Sequence, residues 1–227
     1  MRIVFEKFEK PLRIAPGEMS VLRIADPLLF SRCAHSLIQE YAADVLEPAA
    51  IFDDDNRELK VSGTLFIIGD ILSFDLNDKK ILTLAVKKLI SHIVEEGDSR
   101  DTLRKMNLQI EEVFEDQILQ MNGDYAFLQD WDENKYLKMA GFAIDATDDV
   151  TPFDKVRHLL RVASDLFPER VLAFINLCTF LTQAQFDELR EQVAAEQLMV
   201  MLCETDARID LSNLDNRLLV DEDYLEY

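Results

Sequence analysis

Cysteine is scarce in this chain and carries no pattern. Cys33, Cys178 and Cys203 lie far apart in the apolar contexts SRCAH, NLCTF and VMLCE. An odd number without paired spacing excludes a disulfide framework and predicts buried, reduced thiols. Histidine is equally sparse: His35, His92 and His158 are scattered, and Cys33 with His35 alone cannot build a zinc site. Glycine and proline number six each in 227 residues, so loops should be short and helix content high. No uncharged apolar run approaches the ~18–20 residues that span a bilayer. Met1 leads straight into RIVFEKFEKPLRI, an alternating pattern with charges throughout rather than an apolar leader. The expectation is a cytoplasmic protein with no membrane partner.

Catalytic signatures are also missing. No G-x-x-x-x-G-K-[ST] loop cradles a phosphate, so no nucleotide is expected, and no G-x-S-x-G presents a nucleophile. Leu65–Ile68 followed by Gly69-Asp70 reads as an apolar strand delivering a carboxylate to its end. Without a phosphate loop, Asp70 is expected to cap the segment that follows. Asp53-Asp54-Asp55 reads as a solvated turn between strands. A metal-dependent nuclease built on Asp53, Asp54 and Asp70 ranks last among the alternatives.

What is abundant is acid. Asp and Glu total 44 against 24 Lys and Arg, a formal net charge of -20. Hydrophobic residues make up 48% and aromatics 9%, which is the composition of a folded chain. Negative charge opposes nucleic-acid binding on average, but contact is local. Residues 79–105 hold seven Lys/Arg against four acids, whereas 106–155 hold three against twelve. The stretch KKILTLAVKK sets Lys79, Lys80, Lys87 and Lys88 into three helical turns, and Arg100, Arg104 and Lys105 follow. These seven are the candidate phosphate contacts; a solvated helix face is the plainer alternative.

Periodicity organises the chain. Ile3 and Phe5 alternate as in a strand, Glu9-Lys10-Pro11 turns, and Leu12-Arg13-Ile14 returns. Asp26-Pro27 opens a helix with Leu29, Cys33, Leu37 and Tyr41 on one face. Short strands resume near 50–52 and 64–68. From about Asn77 the period becomes helical: Leu82, Ala85, Val86, Leu89 and Ile93 share one face. After a break at 96–99, Leu103, Met106, Ile110 and Val113 form a heptad-like stripe for an antiparallel neighbour or a partner chain. A short helix spans 133–140 and stops at Gly141. Another opens at Thr151-Pro152 with Val156, Leu159, Leu160, Ala163 and Phe167 inward. VLAFI at 171–175 and the run 198–203 are buried strands, joined by a helix that opens on a capping box at Thr182–Gln185. Strand, helix and strand in that order make a right-handed βαβ unit. The acidic segment NGDYAFLQDWDEN carries Asp124, Asp130, Asp132 and Glu133, oxygens suited to calcium, with a solvated connection as the alternative.

Four stretches together have a further meaning. They are Met1–Ile14 with its KPLRI turn, Ile51-Phe52-Asp53-Asp54, GDILSFDLN at 69–77, and VLAFINLCTFLTQAQFDEL at 171–189. In order and spacing, with the closing Asp221–Tyr224, they resemble the small adaptation protein family of type II-A CRISPR loci, which takes part in spacer acquisition. The resemblance implies an α/β head with a degenerate P-loop-NTPase-like sheet, residues 1–76 and 168–227, and an inserted α-helical leg, residues 77–167. It implies ring-shaped homotetramers that bind the ends of linear double-stranded DNA through a lysine-lined hole. It also implies calcium in support of the ring, no catalytic activity, and action alongside the locus's integrase proteins and RNA-guided nuclease. The DNA-contact lysines rest on local charge, because the family's basic positions do not align one for one with Lys80, Lys87 and Lys88. A scaffold that recruits those partners through its acidic surface, without touching DNA, is the alternative.

Overall fold

The structure, a computed structural model, describes residues 1–38, 47–205 and 208–227. Alternation in RIVF puts Ile3 and Phe5 on the buried face of β1 (Arg2–Phe5). The Glu9-Lys10-Pro11 turn brings back β2 (Leu12–Arg13) antiparallel to it. Next come β3 (Glu18–Ile24) and α1 (Pro27–Ile38), which buries Leu29, Cys33 and Leu37 as its spacing predicts; Tyr41 lies outside the described residues. The strands β4 (Ala49–Phe52) and β5 (Glu58–Leu59) complete a four-stranded antiparallel sheet in the order β2-β1-β4-β5.

A single turn, α2 (Val61–Thr64), feeds β6 (Leu65–Ile68). The chain later returns through α6 (Pro152–Leu166), β7 (Val171–Ile175), α7 (Gln183–Glu196), β8 (Met199–Glu204) and β9 (Asn216–Val220). Strands β6-β7-β8-β3-β9, in that order, form a sheet in which every neighbouring pair is parallel. The central β7 and β8 are buried on both faces, which is why they read as unbroken apolar runs. The fold is α/β, as expected. The expected βαβ unit is β7–α7–β8, and α7 opens on the Thr182/Gln185 capping box.

The interior strand β3 escapes the sequence pattern. EMSVLRI mixes polar and apolar residues, and Ser20 is fully buried within it. It nevertheless pairs with both β8 and β9, and β9 likewise has no clear periodic signal.

The chain divides into two compact units, 1–75 with 146–227, and 76–145. The helical leg therefore ends well before the expected 167. The reason is α6: its apolar face (Phe153, Val156, Leu159, Leu160, Ala163) is buried, and the helix packs on α7 within the α/β unit. Helical period alone cannot say which surface receives such a face. The second unit comprises α3 (Lys79–Glu95), α4 (Gly97–Ile118) and α5 (Glu133–Met139), with α3 packed on both of the others. Asn77 closes its base: Nδ2 donates to the Ile144 carbonyl at 3.1 Å, and the Ile144 N–H donates to Oδ1 at 2.8 Å. The expected break between α3 and α4 is confined to Glu96. Among the described residues no helix is long and apolar enough to cross a membrane.

Candidate nucleic-acid interface

Asp78 starts α3 by accepting the Lys80 N–H at 2.8 Å, which places Lys79 and Lys80 in the first turn. Ile81 is buried, and Leu82, Ala85, Val86, Leu89 and Ile93 are half-buried, so the apolar stripe is the packed side. Lys79, Lys80, Lys87 and Lys88 are all exposed. Lys80 and Lys87 are seven residues apart, about 10 Å along the axis, close to three base-pair rises of B-DNA. The Thr83 hydroxyl donates to the Lys79 carbonyl at 2.7 Å and the Ser91 hydroxyl to the Lys88 carbonyl at 2.9 Å, so both hydroxyls are satisfied by the helix backbone.

On α4, Arg104 and Lys105 are exposed as well. Among the described residues none of these six cations forms an ion pair. In a chain with 44 acidic residues, a basic face without carboxylate partners is what phosphate contact requires. Arg100 is different. Its Nε lies 3.5 Å from Glu133, which is only 15% exposed, so this guanidinium ties α4 to α5 instead of facing solvent freely. The structure thus pairs a predicted phosphate contact with a predicted metal ligand.

The other three expected metal ligands do not gather with Glu133. Asp132 caps α5 by accepting the Lys135 N–H at 3.1 Å, while Asp124 and Asp130 are exposed on irregular backbone. Among the described residues no group of three or more His, Cys, Asp or Glu side chains is placed to hold a metal. Calcium takes six to eight oxygens, and these four residues within one chain do not fit it.

In the α/β unit, the carboxyl ends of the parallel strands are where such sheets usually bind ligands. After β3 only Ala25 and Asp26 precede α1, and Asp26 Oδ1 accepts the Leu29 N–H at 2.6 Å. A carboxylate of the chain therefore occupies the position where a phosphate would meet the helix N-terminus. At the end of β6, Asp70 accepts the Leu72 N–H at 2.9 Å, the capping role expected of it. Hydrogen bonds from Ser73 and Leu72 hold its carboxyl below the usual range. Asp53 accepts the Arg57 N–H at 2.8 Å, Asp54 meets the N-terminal ammonium at 3.0 Å, and Asp55 meets Arg57 at 3.4 Å. Each acid of the nuclease alternative thus has a structural task.

Sequence reasoning missed Glu204. It ends β8 fully buried, with Oε1 accepting the Cys178 N–H at 3.1 Å. Asn176, at φ +53°, stands beside it and accepts from the N–H and hydroxyl of Thr205 at 3.0 and 3.1 Å. The one signal available was an acid closing the apolar run 198–203.

Known proteins share this arrangement of motifs and elements. A family model described as CRISPR-associated protein (Cas_Csn2) matches residues 41–224. The chain belongs to the Csn2 family. It is 26% identical over 208 residues to the CRISPR-associated protein Csn2 of Enterococcus faecalis, covering 90% of each chain. It is 27% identical over 228 residues to the Csn2 of Streptococcus agalactiae, covering 99% of this chain and 96% of that one. Among solved structures, Stu0660 of Streptococcus thermophilus superimposes with a TM-score of 0.62 at 15% identity, over all of this chain and 76% of the other. At that identity the likeness establishes the fold that this chain shares with it. Membership in the Csn2 family makes this a CRISPR-associated protein.

Proposed function

We propose that this Csn2-family chain binds the ends of linear double-stranded DNA as a ring-shaped homotetramer during spacer acquisition, without sequence preference and without catalysis. The observation that carries it is the set of exposed lysines on α3, Lys79, Lys80, Lys87 and Lys88, which form no ion pair among the described residues, in a chain of net charge -20. One protomer offers too few cations for tight binding, and cyclic symmetry multiplies them around one duplex. The α4 stripe favours such an assembly: Met106, Ile110 and Val113 are 55%, 53% and 65% exposed, a seam left without a partner in one chain. Phosphate contact dominates, so affinity falls steeply with salt. The integrase proteins and RNA-guided nuclease of the locus are the protein partners, and the cytoplasm is the compartment.

The test is gel-shift and end-protection on linear and circular duplex, each run with calcium and with chelator. Binding should require a free end and survive chelation. Replacing Lys80, Lys87 and Lys88 by Glu should abolish it while sedimentation still reports the tetramer. Unchanged affinity in that variant refutes the contact face. Failure of wild-type protein to bind linear DNA at low salt, with or without calcium, favours the scaffold alternative, to which the acidic surface is suited.

A further inference from the structure

The helical unit also holds an open cleft of about 210 Å³, lined by α4, the segment 129–132 and α5. None of the seven predicted phosphate contacts lines it. Its walls include Trp131 and Tyr136, whose ring centroids are 5.2 Å apart at 39°. Beside them stand Glu111, Asp130 and Asp132. Asp132 Oδ1 is taken by the α5 cap, and Glu111 Oε1 accepts from Asn107 Nδ2 at 2.8 Å. Lys135, the one cation of the lining, donates to Gln129 Oε1 rather than to a carboxylate. Among the described residues, Asp130 and Glu111 have no cationic partner. The Trp131 indole N–H is shielded and has no acceptor among the described residues.

Aromatic faces beside unneutralised carboxylates are the chemistry that holds an organic cation. They do not suit a phosphate, which the acids repel, or a hard metal ion, which the rings cannot ligate. A planar guanidinium stacks on an indole and forks onto a carboxylate, which a compact ammonium cannot do. We propose that this cleft binds an arginine side chain of a protein partner, stacked on Trp131 and Tyr136 and paired with Asp130 and Glu111. The net charge of -20 draws a basic partner toward it. The inference stands whether or not the lysine face binds DNA.

Trp131 is the only tryptophan of the chain, so its emission reports the cleft directly. The full chain is titrated, at constant ionic strength, with blocked Gly-Arg-Gly, Gly-Lys-Gly and Gly-citrulline-Gly. A saturable change with the arginine peptide is expected, with a midpoint about tenfold higher for lysine and no response to the neutral isostere. Asp130→Asn at an exposed position and Glu111→Gln at a half-buried one, both checked by circular dichroism, should each raise the arginine midpoint. Equal responses to all three peptides overturn the proposal, as does no response up to tens of millimolar. Saturation by calcium chloride alone, without an arginine response, overturns it in favour of a metal site.

Discussion

Glu204 closes a buried parallel strand with a carboxyl wholly out of solvent. Burial is the dominant influence and pushes its pKa from the ordinary 4.5 to about 7; hydrogen bonds from Cys178 and the Leu177 N–H oppose the rise without cancelling it. Burial pushes the neighbouring Cys178 and Cys203 thiols up as well, so both stay neutral through this range. A carboxyl whose folded value exceeds its unfolded value binds its proton more tightly in the folded chain. Its stabilising contribution is therefore complete below about pH 4.5 and is lost as pH rises through about 7. At about 1.4 kcal/mol per pH unit, the full loss is about 3 kcal/mol, of which about 2 kcal/mol falls between pH 5.5 and 8.5. Glu204→Gln keeps an acceptor for the Cys178 N–H and cannot ionise. Urea unfolding of both proteins across that range should show the variant gaining about 2 kcal/mol on the wild type as pH rises. Other carboxylates titrate alike in both and cancel in the difference. Curves that stay parallel would refute the buried, proton-holding role of Glu204.

Two further predictions test the helical unit. Arg100→Gln should leave the salt dependence of DNA binding unchanged, because that guanidinium is engaged with Glu133, while Lys87→Gln should flatten the slope by about 0.9 for each phosphate it no longer neutralises. An equal flattening for Arg100, read from binding isotherms at several salt concentrations, would return it to the DNA-binding set. Asn77→Ala removes both hydrogen bonds to Ile144 and should destabilise the unit by about 2 kcal/mol. Hydrogen exchange should speed up at 77–82 and 142–145; unchanged protection there would show that the bridge does not close the unit.

The elements legible in advance were those with a strong local signature. VLAFI and the run 198–203 announced buried strands because a strand covered on both faces has no polar side. Thr151-Pro152 announced a helix start because proline fits the first helical position, and Thr182–Gln185 announced another because a capping box is complete within four residues. The strand β3 was not legible: its seven residues have no period, and its interior place comes from β8 and β9, contributed by chain nearly two hundred residues away. The limit of the helical unit was misplaced for a related reason. The buried face of α6 fits a leg helix as well as a sheet-covering one until the packing on α7 is known.

The candidate site divides in the same way. That Lys80 and Lys87 share the side of a helix opposite its apolar stripe, with Lys79 and Lys88 flanking them, follows from 3.6 residues per turn, and the sequence alone determines it. The missing phosphate loop and the family likeness of the spaced motifs are likewise properties of the sequence. Charge partners are long-range facts, which no count along the chain can supply. Only the tertiary structure decided that Arg100 is engaged with Glu133, thirty-three residues on, and that Asp132 serves a helix cap. It also decided that the Glu204 carboxyl is buried and its pKa pushed up, because burial depends on which strands lie to either side.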